Sequence, residues 1–422
     1  MAYAIGVALF ALGILVSVCL HEAGHMFTAK GFGMKVSRYF IGFGPTLFSF
    51  RRGETEYGVK AIPAGGFCKI DGMTPLEEEE DVPPQDRHRV FWRKPVWQRT
   101  IVLVAGSVTH VILAFVLFWV CTAFVGVPNP KLANLASGKV PAVIGQVSRC
   151  IPVTYDAKHP DRCGAKDPQG PAKAAGIKVG DRITSIGGTK THTYQDLVKQ
   201  VQHSPAGPVP VRYVRDGRSH STSVTLVRAQ RPTGGTVEDP KLSRVSVLGV
   251  TLASREQLGI PTTVTYGAVR GVPEAGVVYA QTFGAMGQAV TRIPAKIPNL
   301  VTALAGEKRS ADTPISVVGA SRLGGETVEL HAWWFFLMLM AQLNLFIGLF
   351  NLVPLLPLDG GHIAIAWFEK LRSWFAARRG RPDPGRVDYL KLMPITYAVV
   401  IVFGGLSLLT VAADIINPVT LN

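Results

Sequence analysis

The chain has 422 residues, of which 47% are hydrophobic and only 17% charged, and its mean hydropathy is positive, so it is long enough for several membrane spans plus a soluble domain. This composition disfavours a purely soluble protein. The net charge of +15 does not indicate nucleic-acid binding, because the Lys and Arg residues cluster beside apolar runs, where cytoplasmic loops of membrane proteins carry them.

The first predicted element is a span from Ala2 to about Phe27. No Lys or Arg precedes its apolar run and no small-residue cleavage pattern follows it, which argues against a signal peptide. It carries HEAGH instead. On a helix His21 and His25, four residues apart, project from one face, with Glu22 beside them able to reach a metal-bound water. Two imidazoles on Zn²⁺ require a third protein ligand so that a fourth position can hold water. A Glu in an apolar helix costs a few kcal/mol unless it is paired or water-facing, so ionisable groups at this depth indicate function. At 1.5 Å per residue these side chains lie roughly 27 to 36 Å along the helix, near the far edge of the hydrocarbon.

The loop that follows contains two alternating, glycine-punctuated stretches, Ile41 to Phe50 and Thr55 to Ile70, which read as strands. The acidic run from Glu77 to Asp81 reads as a solvated loop tip. A second span covers Ile101 to Phe124. Basic residues such as Lys30, Lys35, Arg51, Arg93 and Arg99 place this loop in the cytoplasm, and Lys370, Arg372 and Arg378 do the same for the loop between spans three and four. Both termini and the long segment from about Gly126 to His331 are then outside.

That segment changes character. PAVIGQV and VPVRYV read as strands, TYQDLVKQV as a helix and VRDG as a hairpin turn. Pro171 to Val201, through Ala174, Gly176, Gly180, Asp181, Ile183, Ile186 and Gly188, resembles the core of a PDZ domain of the bacterial protease type. Such a module grips an extended peptide at a sheet edge, or serves as a spacer or steric filter; both readings stay open. Cys150 and Cys163 lie in a polar stretch that permits a disulfide in an oxidising compartment, and two free thiols are the alternative. Arg292 to Gly306 mixes basic and apolar residues and suits either a membrane-surface helix or a linker.

The third span runs from Trp333 to about Leu352 and the fourth from Ile395 to about Ala412. Between them NLVPLLPLDGGHI supplies Asp359 at the same cytoplasmic end as the histidines, the candidate third ligand. Pro354 and Pro357 break the helix and Gly360 and Gly361 permit a sharp turn, so the backbone aims a side chain there; His362 is the second choice as ligand.

HEAGH at the end of the first span, with NLVPLLPLDGG after the third, resembles the site-2 protease family of intramembrane zinc metalloproteases, in its bacterial branch with a single PDZ module. The resemblance implies an α-helical polytopic membrane protein of about four transmembrane helices, with a membrane-associated β element and an extracytoplasmic PDZ-like α+β domain. It implies residues 1–130 as the N-terminal membrane part, 131–230 as the PDZ-like domain, 231–332 as a linker or surface helix, and 333–422 as the C-terminal membrane part. By the same resemblance, Zn²⁺ is held by His21, His25 and Asp359, and Glu22 is the catalytic acid/base. Asn351 and Pro354 contact substrate, and Gly65 and Gly66 lie on the β segment whose edge pairs with it. The implied activity is hydrolysis within or near transmembrane segments of single-pass proteins, such as anti-sigma factors, in a bacterial inner membrane. A transporter with a zinc site as cargo is the rival class. It requires polar residues along several spans, and these spans are nearly uncharged away from their cytoplasmic ends. A proteolytically silent scaffold is the other rival, weakened by the presence of Glu22 with all three candidate ligands.

Overall fold

The computed structural model describes residues 1–73, 82–156, 159, 162–235, 240–307, 309 and 313–421; the acidic run from Glu77 to Asp81 lies outside them. Contacts divide the chain into two units, residues 1–126 with 265–422, and residues 127–264.

The first unit begins with helix α1, Ala2–Gly31. Its buried residues Gly6, Phe10, Ser17, His21 and His25 recur at near-helical spacing and form one stripe, while Leu9, Leu12, Val16 and Leu20 are exposed. A long hairpin follows, strands β1 (Val36–Arg52) and β2 (Thr55–Ile70), antiparallel with several shifts of register between Val36 and Phe48. Tyr39 anchors the hairpin to α1 by donating to the Cys19 carbonyl at 2.6 Å. Beyond that anchor Phe43, Leu47, Phe48 and Ile62 stay exposed, an apolar surface suited to lipid more than to water.

The polar end of the hairpin is tied down by charge. Arg89 donates to both Glu54 oxygens, at 2.6 and 2.7 Å, and holds that carboxyl below the usual carboxylate range. Lys35, 2.7 Å from Asp86, does the same there. Because the folded values are depressed, these contacts contribute fully above about pH 4.3, the ordinary glutamate value, and are lost as pH falls through the depressed one. Protection of the amides of residues 52–55, measured against the intrinsic exchange rate at each pH, is therefore expected to fall on acidification from about pH 6 to about pH 3; unchanged protection contradicts the assignment.

Helix α2, Val96–Val120, packs on α1 and continues as one π turn, Cys121–Val125.

The second unit contains β3 (Val127–Pro128), helix α3 (Pro130–Ala136), β4 (Ile144–Val147), the short helix α4 (Pro171–Ala174), β5 (Arg182–Ile186), β6 (Thr189–Lys190) and helix α5 (Tyr194–His203). It continues with β7 (Gly207–Arg215), β8 (Arg218–Gly235), β9 (Pro240–Val247), β10 (Val250–Leu252) and β11 (Thr263–Val264). The main sheet has the order β6-β5-β7-β8-β9, and β10 pairs with β4. Alternation along β7 sends Val209, Val211 and Tyr213 into a core with Ile183, Leu197 and Leu226. The α5 N-terminus is a capping box, Thr193 accepting from the Asp196 amide while the Asp196 carboxylate accepts from the Thr193 amide. Arg215–Asp216–Gly217–Arg218 forms the β7–β8 turn with Asp216 and Gly217 at positive φ. Cys150 and Cys163 are joined as a disulfide. The compact unit reaches past the expected boundary at residue 230, because β8 runs through it and pairs with β9.

The first unit resumes with helix α6, Gly267–Leu304, then α7 (Val317–Glu329), α8 (Trp333–Phe350), α9 (Asp359–Arg378) and α10 (Met393–Ile416). The stretch from Arg292 to Leu304 is the end of a continuous helix rather than an extended linker, despite Pro294 and Pro298 inside it. α7 packs on α1, and α8 and α9 pack on α2. A buried Arg309–Asp414 pair, 2.6 Å apart, fixes the end of α10 to the segment before α7. Asp414 also accepts from the Ser316 amide, so neither charge is left uncompensated. Among the described residues four helices are long and apolar enough to cross a membrane: Ala2–Gly31, Val96–Val125, Trp333–Phe350 and Tyr389–Ile416.

Candidate active site

The break between α8 and α9 builds the site. Asn351 caps α8, and its carbonyl accepts the Gly360 N–H at 2.8 Å, so the turn from 351 to 358 doubles back on itself. At Gly360 a Cβ would collide with the carbonyls of Leu352 and Val353, which is why only glycine fits directly after the aspartate. Asp359 thereby becomes the first residue of α9 and faces the α1 stripe. Its Oδ2 lies 3.5 Å from His21 Nε2 and 3.5 Å from His25 Nε2, and all three donor atoms fall within 4.8 Å of one another.

The arrangement of the donors suits a cation. His25 Nδ1 sits 2.7 Å from the Val102 carbonyl, which can only accept, so Nδ1 carries the proton and a neutral His25 presents a lone pair at Nε2. That lone pair faces His21 Nε2 at 3.0 Å and the Asp359 carboxylate. Asp359 Oδ2 is buried with no hydrogen-bond partner. His21 Nδ1 is likewise buried without a partner, so the cluster's own hydrogen bonds do not satisfy it, and a cation joining the three donor atoms would take up their electron pairs. The donor set, two imidazoles and one carboxylate, matches that of catalytic zinc sites.

The structure brings the other expected residues near this cluster to different degrees. Gly66 lies on β2 opposite Ile41, where its Cβ position is 3.6 Å from Glu22 Cγ, so the β2 segment passes directly beside Glu22. Gly65 packs against the Phe43 ring. Asn351 and Pro354 belong to the turn that carries Asp359. His362 stands outside the three-donor group; it lines a cavity of about 360 Å³ with Cys68, Pro357, Tyr389 and Met393.

Helix α2 contributes what the motifs do not reveal. Besides the Val102 carbonyl it places Gly106 against both imidazoles: a Cβ there would lie 2.6 Å from His21 Cε1 and closer still to His25 Nε2. One turn on, the His110 ring stands 5.0 Å from that of His21. His110 Nδ1 bonds to Asn344 Oδ1 at 2.9 Å, and Asn344 Nδ2 donates to the Met340 carbonyl at 2.8 Å, joining α2 to α8 behind the cluster. Gly106→Ala is expected to lower metal affinity by roughly tenfold to a hundredfold, the range of other outer-shell changes. The clash costs stability while alanine favours the helix by about 1 kcal/mol, so the melting temperature is read alongside to separate displaced imidazoles from unfolding. Metal content against a competing chelator checks it, and parent-like affinity contradicts the packing described.

The fold and the cluster together define a multi-pass membrane protein with three clustered side chains that could hold a metal ion. Residues 9–387 match peptidase family M50. The chain is 41% identical over 428 residues to the zinc metalloprotease Rip1 of Mycolicibacterium smegmatis, and 42% identical over 427 residues to the zinc metalloprotease Rip1 of Mycobacterium tuberculosis; each alignment covers 100% of both chains. The chain belongs to peptidase family M50, the site-2 proteases. It is a zinc metalloprotease, and its cofactor is Zn²⁺.

Proposed function

We propose that this enzyme cleaves single-pass membrane proteins in or near their transmembrane segments, with His21, His25 and Asp359 holding zinc and Glu22 as acid/base. The observation that carries the reading is the convergence of three electron-pair donors at the far end of a lipid-exposed helix. When bound there, zinc supplies Lewis acidity that polarises the scissile carbonyl and lowers the pKa of water toward about 7. Glu22, on the same helical turn as His21, takes the proton from the attacking water and returns it to the leaving amine. Asn351 acts as a hydrogen-bond donor to the substrate carbonyl oxygen as charge develops on it, and Pro354 shapes the turn that presents it. The β2 edge at Gly65 and Gly66 pairs with substrate backbone, which must be extended to be cut because a helix hides its peptide bonds.

The basic loops support a cytoplasmic position for the metal end, and with it an extracytoplasmic position for residues 127–264. We assign that unit as PDZ-like. A groove between α5 and residues 245–250 supports the peptide-gripping form over a plain spacer. By resemblance to the bacterial branch, the substrates are signalling proteins such as anti-sigma factors, and the membrane is the inner membrane. The test is to reconstitute the purified chain with a single-pass reporter tagged at both ends and to locate the cut by mass spectrometry. Zinc-dependent cleavage inside or within a turn of the apolar segment is expected. Cleavage confined to soluble peptides rejects the intramembrane assignment.

A further inference from the structure

Helix α9 does more than carry Asp359. From Trp367 onward one side of it presents Trp367, Phe368, Leu371, Trp374 and Phe375, all exposed, at the i, i+1, i+4, i+7, i+8 spacing of a continuous apolar face. The same stretch and the residues just after it hold Lys370, Arg372, Arg378, Arg379 and Arg381. The acid among them, Glu369, is already matched by Arg99 at 3.3 Å. The Arg378 guanidinium lies over the Trp374 ring at 3.9 Å, placing a positive charge at the edge of the apolar face.

We infer that this face is a lipid-surface site that takes anionic headgroups, and that its occupancy steadies Asp359. Two constraints select lipid as the occupant. α9 is tethered between α8 and α10, both long and apolar enough to span, so its apolar face cannot travel far from the bilayer. It is also pinned to the start of another such helix, α2, where Trp367 Nε1 donates to Thr100 Oγ1 at 3.1 Å and Arg99 meets Glu369. Tryptophans backed by arginines at the level where spans begin are the composition that membrane interfaces select, and guanidinium forks match phosphate oxygens. The link to the metal site is direct. Asp359 is the first residue of this same rigid helix, so anchoring it two to four turns further along fixes the direction from which the carboxylate meets the imidazoles.

The experiment uses the full chain in vesicles of phosphatidylcholine alone or mixed with phosphatidylglycerol, reading amide exchange of residues 367–378 and the rate of reporter cleavage. Anionic lipid is expected to slow that exchange by at least about tenfold and to raise cleavage at least about threefold. The combined variant Lys370→Gln, Arg372→Gln, Arg378→Gln and Arg379→Gln should lose both responses while α1 and α8 exchange as in the parent. A variant with Lys173, Lys178, Lys190 and Lys199 changed to Gln, which removes the same charge elsewhere, should keep them. Equal exchange in the two lipids overturns the inference, as does equal protection by inorganic phosphate in neutral vesicles or a lipid response that survives in the first variant. Slowed exchange with an unaltered cleavage rate overturns the link to Asp359. The cleavage arm rests on the proteolytic reading above and the exchange arm does not, so absence of cleavage in every lipid strikes that reading and leaves the exchange result to decide the lipid site.

Discussion

A Glu22→Gln chain is expected to bind zinc as the parent does and to lose cleavage by about a hundredfold to ten thousandfold. The three donors of the cluster are His21, His25 and Asp359, so the amide changes no ligand. It removes the carboxylate beside β2, and with it the group that accepts and returns a proton; a positioned acid/base contributes on this scale. An amide of nearly the same shape leaves the packing against Gly66 in place, which separates lost chemistry from lost structure. Zinc content by mass spectrometry and initial rates on a single-pass reporter decide the matter. Parent-like cleavage removes the acid/base assignment, and lost zinc moves Glu22 into the ligand set.

Asp359→Ala is expected to lose both zinc and cleavage. Two imidazoles remain, and the affinity lost with a direct ligand exceeds the tenfold to hundredfold of outer-shell changes. The metal-free forms give a second reading. The carboxylate stands 3.5 Å from two imidazole nitrogens with its Oδ2 unpartnered, so removing the cation that would join these donors is expected to cost stability. The metal-free Asp359→Ala chain is therefore expected to melt no lower than the metal-free parent, whereas the zinc-loaded parent melts above both. A metal-free variant that melts well below the metal-free parent shows that Asp359 is a structural partner of the histidines and not a ligand in waiting.

Much of this site was legible in the sequence because its chemistry forces rare residue choices. Ionisable side chains at the end of an apolar helix, and a proline and glycine break after another, are costly unless used, and they mark His21, Glu22, His25 and Asp359. The α2 contribution left no such mark. Val102 acts through its carbonyl, which any residue possesses, and Gly106 acts by having no side chain, which in an apolar helix reads as ordinary small-residue packing. His110 and Asn344 are far apart in sequence and become a pair only once α2 lies against α8. Arg292 to Gly306 is ambiguous in sequence because basic residues beside apolar ones suit a surface helix and a linker alike; in the structure the helix continues to Leu304, through Pro294 and Pro298. The unit 127–264 outran its expected boundary for a related reason. β8 and β9 are polar and proline-bearing, so period-two patterning fades where the ladder itself continues.

The central claim, one zinc ion shared by the first span and the helix after the third, is tested most directly by X-ray absorption at the zinc edge on the membrane-reconstituted chain. Two imidazole nitrogens and oxygen ligands near 2.0 to 2.2 Å are predicted, with the shell altered or the zinc lost in Asp359→Ala, which has no side-chain donor. A sulfur-containing shell, or one identical in parent and Asp359→Ala, contradicts it.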